Sequence, residues 1–217
     1  MLELCANAEA TTALVGIGVV RALVKKSARE EGVIQELCLQ VLYHALKSHG
    51  EVALVEAQDQ GATNLCVSLM TNAANSPRIK ELAAKNLTLL CFSTQAKMKV
   101  IELGAIKGVC GLLSDASYAV RAAAAGALMG VTTEKAAKVQ VIECGGVRLL
   151  DALLDDPSRM VQLNTLKTLS NVVVHPDARA MLNNDKTVAR LEELAAVEDR
   201  LASRAAATCL ALVLWTP

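Results

Sequence analysis

The sequence predicts an all-helical protein made by repeating one unit. Three observations predict it. First, the 41 residues from Ala96 to Ala136 return almost in register as Ala137–Asp177, so that Ala96-Lys-Met-Lys-Val-Ile-Glu-Leu-Gly104 is answered by Ala137-Lys-Val-Gln-Val-Ile-Glu-Cys-Gly145. Second, the composition is 53% hydrophobic but only 2% aromatic. A core of Ala, Leu, Val and Ile suits closely stacked helices rather than the alternating β-branched and aromatic residues of a sandwich. Third, the longer segments carry apolar residues near the 3.6-residue period of a helix with one buried face.

A helical repeat with a period in the low forties is that of armadillo/HEAT-like right-handed α-solenoids. About five repeats fit into the 217 residues. Residues 1–217 are then expected to form a single solenoid, with a partial repeat at the N-terminus and a capping helix over about 199–214. Each full unit reads as a short helix, a second helix after a glycine, and a longer third helix.

In the first unit, Ala10–Val15 is the expected short helix, Gly18 its turn and Val19–Lys25 the second helix. The third runs from about Gly32 to Leu46, with apolar residues at 33, 34, 37, 38, 41, 42 and 45. The next unit repeats the pattern with Val52–Ala57, a turn at Gly61, and Thr63–Met70. Ser76-Pro77 then opens a helix, because serine caps well and proline lacks only an N–H that would be unbonded there. Asp156-Pro157 gives the same signal before Val161, and His175-Pro176 opens a short helix ending near Leu182. The buried pairs of the third helices align as Ile34/Leu42, Ile79/Leu87, Val120/Leu128, Val161/Leu169 and Ala202/Leu210, with steps of 45, 41, 41 and 41 residues. The long first step fits extra residues in Thr71–Ser76. The turn glycines Gly18, Gly61, Gly104 and Gly145 are expected to end helices in the left-handed conformation. In the last unit Lys186 holds the glycine slot, and Asn183-Asn184 is expected to supply the turn.

At the C-terminus, Trp215 either covers the last apolar surface or sits half exposed. At the other end the chain opens in mid-repeat, so a partner or further residues are expected to cover it. Leu14, Val15, Val19, Val20, Leu23 and Val24 would otherwise lie uncovered and favour self-association.

Charge balances at 22 basic and 22 acidic residues. That argues against a nucleic-acid partner, which requires a basic face to displace phosphate counterions. The seven cysteines are scattered and never form a C-x-x-C pair, so neither a disulfide framework nor a zinc site is expected. Cys38, Cys91 and Cys209 fall in apolar helical runs as small hydrophobes, and a reducing compartment follows. The opening Met-Leu-Glu-Leu-Cys lacks the features of a signal peptide, and no run reaches membrane-spanning length. His44, His49 and His175 lie in different stretches, and no H-E-x-x-H, G-x-S-x-G, P-loop or complete dinucleotide fingerprint occurs. Gly16-Ile-Gly18 reads as a turn. Glu30-Glu31, Asp155-Asp156 and Glu192-Glu193 read as helix-end or polar-face carboxylates. The expectation is no enzyme, no metal, no cofactor and no membrane partner.

What remains is a surface. In stacks of this kind the third helices line a concave groove that holds partner segments. Two positions per helix, four residues apart, are expected to face it: Gln40/His44, Lys85/Leu89, Gly126/Gly130, Lys167/Asn171 and Thr208/Leu212. Each glycine inside a helix costs roughly 1 kcal/mol against alanine. Gly126 and Gly130 therefore reflect close approach, either by a partner backbone or by a neighbouring helix of the same stack.

One set of strings is more specific. Ala124-Ala-Gly-Ala-Leu-Met129, Val131-Thr-Thr-Glu-Lys135, Leu153-Leu-Asp-Asp-Pro157, Leu163-Asn164, Lys167-x-Leu169, Pro176-x-x-Arg179 and Ile34-Gln-Glu-Leu37 resemble the radial spoke head 14 homologue family. Members of that family are armadillo-repeat subunits of ciliary radial spokes. The likeness runs from about Val33 to the C-terminus, and the family usually has further repeats on the N-terminal side. It implies a non-catalytic structural subunit of the axonemal radial spoke in motile cilia or flagella, with other radial spoke proteins as partners. The alternative is a cytosolic armadillo adaptor that binds a linear peptide of a cargo or signalling partner. Importin-type members use a Trp-x-x-x-Asn ladder, of which only Asn171 survives here, with no tryptophan in its column.

Overall fold

The structure is a computed structural model that describes residues 18–216, with every side chain among them except that of His49. Among the described residues it is all helix, an armadillo-like solenoid without strands. The chain divides into two compact units, Met1–Leu103 and Gly104–Pro217.

The first unit contains α1 (Val19–Arg29), α2 (Gly32–Asp59), α3 (Ala62–Thr71), α4 (Pro77–Leu90) and α5 (Thr94–Glu102). Gly50, at φ 46° and ψ −122°, breaks α2 into limbs 32–49 and 51–59. The first limb is a third helix, and the second is the short helix that opens the next triplet. α1 packs along α2, and α4 packs on both α2 and α3. Leu39, Ile79 and Leu82 form one buried cluster, with Leu69 against it. Ser76 caps α4 as expected, its Oγ accepting from the Ile79 N–H at 3.2 Å.

The second unit contains α6 (Ile106–Gly111), α7 (Tyr118–Val131), α8 (Lys135–Glu143), α9 (Gly146–Ala152), α10 (Arg159–Val172), α11 (Pro176–Leu182), α12 (Asp185–Ala195) and α13 (Arg200–Val213). Single 3-10 turns, Leu112–Ser114 and Leu153–Asp155, extend α6 and α9. α7 packs on α10, and α10 on α13, so consecutive third helices are direct neighbours. Val120, Leu128, Val161 and Leu169 are fully buried at the expected 41-residue step.

Three expectations change on contact with the structure. In the first turn of α2 the buried residue is Gln35, whereas Ile34 is 48% exposed and Val33 and Leu37 are open. Gln35 Nε2 donates to Ser27 O at 2.8 Å, and that bond fixes the register of the turn against α1. Val20, Leu23 and Val24, expected to lie uncovered, are buried with α1 packed along α2. Val19 is half-buried, and the remaining members of that set, Leu14 and Val15, fall outside the described residues together with the expected helix Ala10–Val15. Asp156-Pro157 does not itself cap α10. The helix starts at Arg159, and Asp156 Oδ1 instead accepts from Ser158 N at 2.8 Å in a local turn. Asp115 repeats that turn one period earlier, accepting from Ser117 N at 2.8 Å.

Other expectations hold. Gly61, Gly104 and Gly145 adopt φ of 76°, 60° and 78° where one helix passes to the next. Asn184 takes over in the last triplet, its Oδ1 accepting from Thr187 N at 3.0 Å. Cys38, Cys91 and Cys209 are buried, and so are Cys66 and Cys110. Burial pushes the Cys66, Cys91 and Cys209 thiols up to about 12, so they serve as small hydrophobes. Trp215 is 53% exposed, with the Arg179 guanidinium 4.6 Å from its ring centroid.

Gly145 and its neighbour Gly146 are held for different reasons, and substitution should separate them. A Cβ on Gly145 meets nothing within 4 Å, so Gly145→Ala suffers only the left-handed backbone penalty, about 1–2 kcal/mol, with Gly145→Asn recovering part of it. A Cβ on Gly146 would lie 2.7 Å from Cys110 Sγ and 2.9 Å from Val141 Cγ1. Gly146→Ala should therefore lower the urea midpoint through overpacking, and Gly146→Asn should worsen it instead of rescuing it.

A candidate partner-binding face

Among the described residues no group of three or more His, Cys, Asp and Glu is placed to hold a metal, and no helix is long and apolar enough to cross a membrane. His44 packs edge-on against Tyr43, ring centroids 5.6 Å apart. His175 caps α11, its Nδ1 accepting from Asp177 N at 3.3 Å. The candidate site is the exposed surface of the third helices, taken unit by unit.

In the first unit, Gln40 and His44 are half-buried on α2, and Lys85 and Leu89 are half-buried on α4. Lys85 is not a simply solvated charge. It pairs with Glu81 one turn earlier, and Arg78 Nη1 reaches the other Glu81 oxygen at 2.9 Å. The Glu81 side chain is only 10% exposed. Burial alone would raise its pKa, but the hydrogen bonds from Lys85 and Arg78 outweigh that and hold it below the ordinary 4.5. Behind this ion cluster, Asn86 Nδ2 donates to Leu39 O and Leu82 O, both at 2.9 Å, joining α4 to α2.

In the second unit, Gly126 is buried and Gly130 half-buried on α7. Lys167 is exposed and Asn171 half-buried on α10, and Thr208 is exposed and Leu212 half-buried on α13. α10 is stitched to α7 by three side chains that reach main-chain oxygens. Asn164 Nδ2 donates to Ala122 O at 2.8 Å, Thr168 Oγ1 to Ala125 O at 2.8 Å, and Asn171 Nδ2 to Met129 O at 3.0 Å. Asn171 Nδ2 also lies 3.4 Å from Thr132 Oγ1, so its donors are turned toward α7.

The stitch was missed by sequence reasoning, although a signal for it exists. Thr168 directly precedes the buried Leu169, and Asn86 directly precedes the buried Leu87. Both reach the carbonyl three residues before the matching leucine of the previous third helix, Leu128 and Leu42 respectively. A polar residue fixed in register beside a core leucine is the sign of a buried hydrogen bond between repeats. Salt links follow the same direction. Arg121 Nε donates to Asp156 Oδ2 at 2.7 Å and its Nη1 to Asp115 O at 2.8 Å, while Arg159 pairs with Asp199 at the start of α13.

No family model matches the chain, and no curated protein matches it. Solved structures do. An engineered protein superposes with a TM-score of 0.84 at 22% identity, covering 97% of this chain and 85% of the other. A designed armadillo repeat protein gives 0.83 at 22% identity over 97% of this chain and 90% of its own. A second designed armadillo repeat protein, in complex with the peptide (KR)4, gives 0.81 at 20% identity over 97% and 89%. At these identities the likeness establishes the fold.

Thr168→Val removes the central bond of the stitch while keeping its volume, and should lower unfolding free energy by about 1–2 kcal/mol in urea titration. The Glu81 cluster predicts an acid limb of stability. Its folded pKa lies below the unfolded one, so its contribution is complete above the ordinary carboxylate pKa and disappears as pH falls through the depressed value. Between those limits the melting temperature of Glu81→Gln should vary less with pH than that of the parent chain.

Proposed function

We propose that this chain is a non-catalytic scaffold: a structural subunit of the axonemal radial spoke in motile cilia or flagella, holding other radial spoke proteins through the solenoid surface. The observation that carries the finer part is the set of strings from Ala124-Ala-Gly-Ala-Leu-Met129 through Val131-Thr-Thr-Glu-Lys135 to Pro176-x-x-Arg179. General helix packing does not require them as a set. Thr133, in the turn from α7 to α8, and Lys135, at the start of α8, are both exposed, for instance. The coarser part is supported by the armadillo-like fold and by third helices whose outward faces carry polar, basic and apolar side chains together, such as Lys167 beside Met160.

A second reading has its own support. Asn171 stands on a third helix at the position where peptide-binding armadillo stacks place their asparagine, and one structural neighbour is a designed protein in complex with a peptide. In that reading the chain is a cytosolic adaptor for a linear segment of a cargo or signalling partner.

Fractionation separates the two. Demembranated axonemes should retain the protein through a low-salt wash and release it together with spoke components in a chaotropic extraction. Complete recovery in the soluble cytosolic fraction would overturn the spoke assignment and favour the adaptor.

A further inference from the structure

We infer that the open face of α7, α10 and α13 takes an acidic polypeptide segment with apolar residues between its carboxylates. This inference rests on the scaffold reading and names the chemistry of the partner. Its first support is how charge is sorted. The whole chain is balanced, yet these three helices hold no aspartate or glutamate, only Arg121, Arg159, Lys167, Arg200 and Arg204. Every carboxylate of the second unit lies on a first or second helix or on a turn. Two of those carboxylates neutralise two of the arginines, Asp156 with Arg121 and Asp199 with Arg159. Lys167, Arg200 and Arg204 are exposed and have no carboxylate partner among the described residues. A row of like charges with no internal counterion attracts the opposite charge and repels its own.

The second support is what lies between the cations. Met160, Leu163, Lys167 and Asn171 follow one face of α10, and the same positions on α13 are Leu201, Arg204, Thr208 and Leu212. α10 and α13 pack directly, so these residues form adjacent rows. Met160 is 57% exposed and Leu201 66% exposed, placing two large apolar side chains beside the basic ones. A phosphate backbone would leave that apolar surface wet, whereas a peptide can answer both features. Asn171 adds a constraint. With its Nδ2 donating to Met129 O and toward Thr132, its Oδ1 remains an acceptor suited to a main-chain N–H of the bound segment.

The test is selection of random 12-residue peptides displayed against the full chain, followed by anisotropy titration of the enriched sequences. Enriched peptides should carry net negative charge and at least two large apolar residues. Their affinity should fall about tenfold or more in the double variant Lys167→Glu, Arg204→Glu, since two attractions become repulsions at solvent-exposed positions. The far-ultraviolet spectrum of that variant should match the parent. Enrichment of neutral or basic peptides that the double variant still binds would overturn the charge inference and leave the scaffold reading standing. Failure of any peptide to enrich would overturn both the inference and groove docking as the scaffold's mode of binding. Displacement of an enriched peptide by a single-stranded oligonucleotide as effectively as by unlabelled peptide would assign the face to phosphate instead.

Discussion

Each compact unit depends on contact between its own consecutive third helices. A helix triplet this poor in aromatic residues cannot bury its own apolar side, so within a unit one third helix becomes the floor on which the next one lies. The α7–α10–α13 series shows why the sequence favours small residues. Ala122 through Leu128 of α7 are all buried, and alanines bring helix axes close enough for side chains of one to touch the main chain of another. Asn164, Thr168 and Asn171 use that closeness. Their hydrogen bonds reach carbonyls that Val, Leu or Ile could not satisfy, and they fix the axial register that apolar contact alone leaves loose.

The same contact shapes the candidate partner-binding face. α10 has one side on α7, one under α13 and one outward, and the outward position recurs once per period in this unit. Gly126, Lys167 and Thr208 occupy that recurring position, but the structure treats them unequally, burying the first and exposing the other two. Burial of Gly126 agrees with its place in the Ala-rich segment between Ala122 and Leu128. On these third helices the basic residues without a carboxylate partner among the described residues are Lys167, Arg200 and Arg204, whereas Arg121 and Arg159 are tied to the aspartates that precede the next third helix. Architecture and electrostatics are thus coupled, because Asp156 and Asp199 serve as both turn residues and counterions.

The period was legible because leucine, valine and glycine mark it with little ambiguity. Leu87, Leu128 and Leu169 are core, and Gly104 and Gly145 take the left-handed conformation, as the pattern implied. Side-chain partners across repeats were not legible. Gln35 displaces Ile34 from the core because of one hydrogen bond to Ser27, a main-chain oxygen that periodicity cannot reveal. Arg121 and Asp156 lie 35 residues apart, so their pairing follows from stacking rather than local spacing. Lys85 was within reach, since Glu81 precedes it by one turn, but the burial of that glutamate required the packed structure. For the groove, the spacing suggested ten positions, and burial separates the open ones from those absorbed into packing.

The cation–π pair of Arg179 and Trp215 has a consequence for optical measurement. Trp215 is the only indole in the chain, so intrinsic tryptophan emission reports on the final triplet alone. Ellipticity at 222 nm weighs every helix. In a protein whose elements couple mainly to their neighbours, the two signals follow different populations during denaturation, and their curves coincide only if the last triplet melts with the rest. The separation of those curves is then a direct reading of how far cooperativity extends from one end of the second unit into its interior.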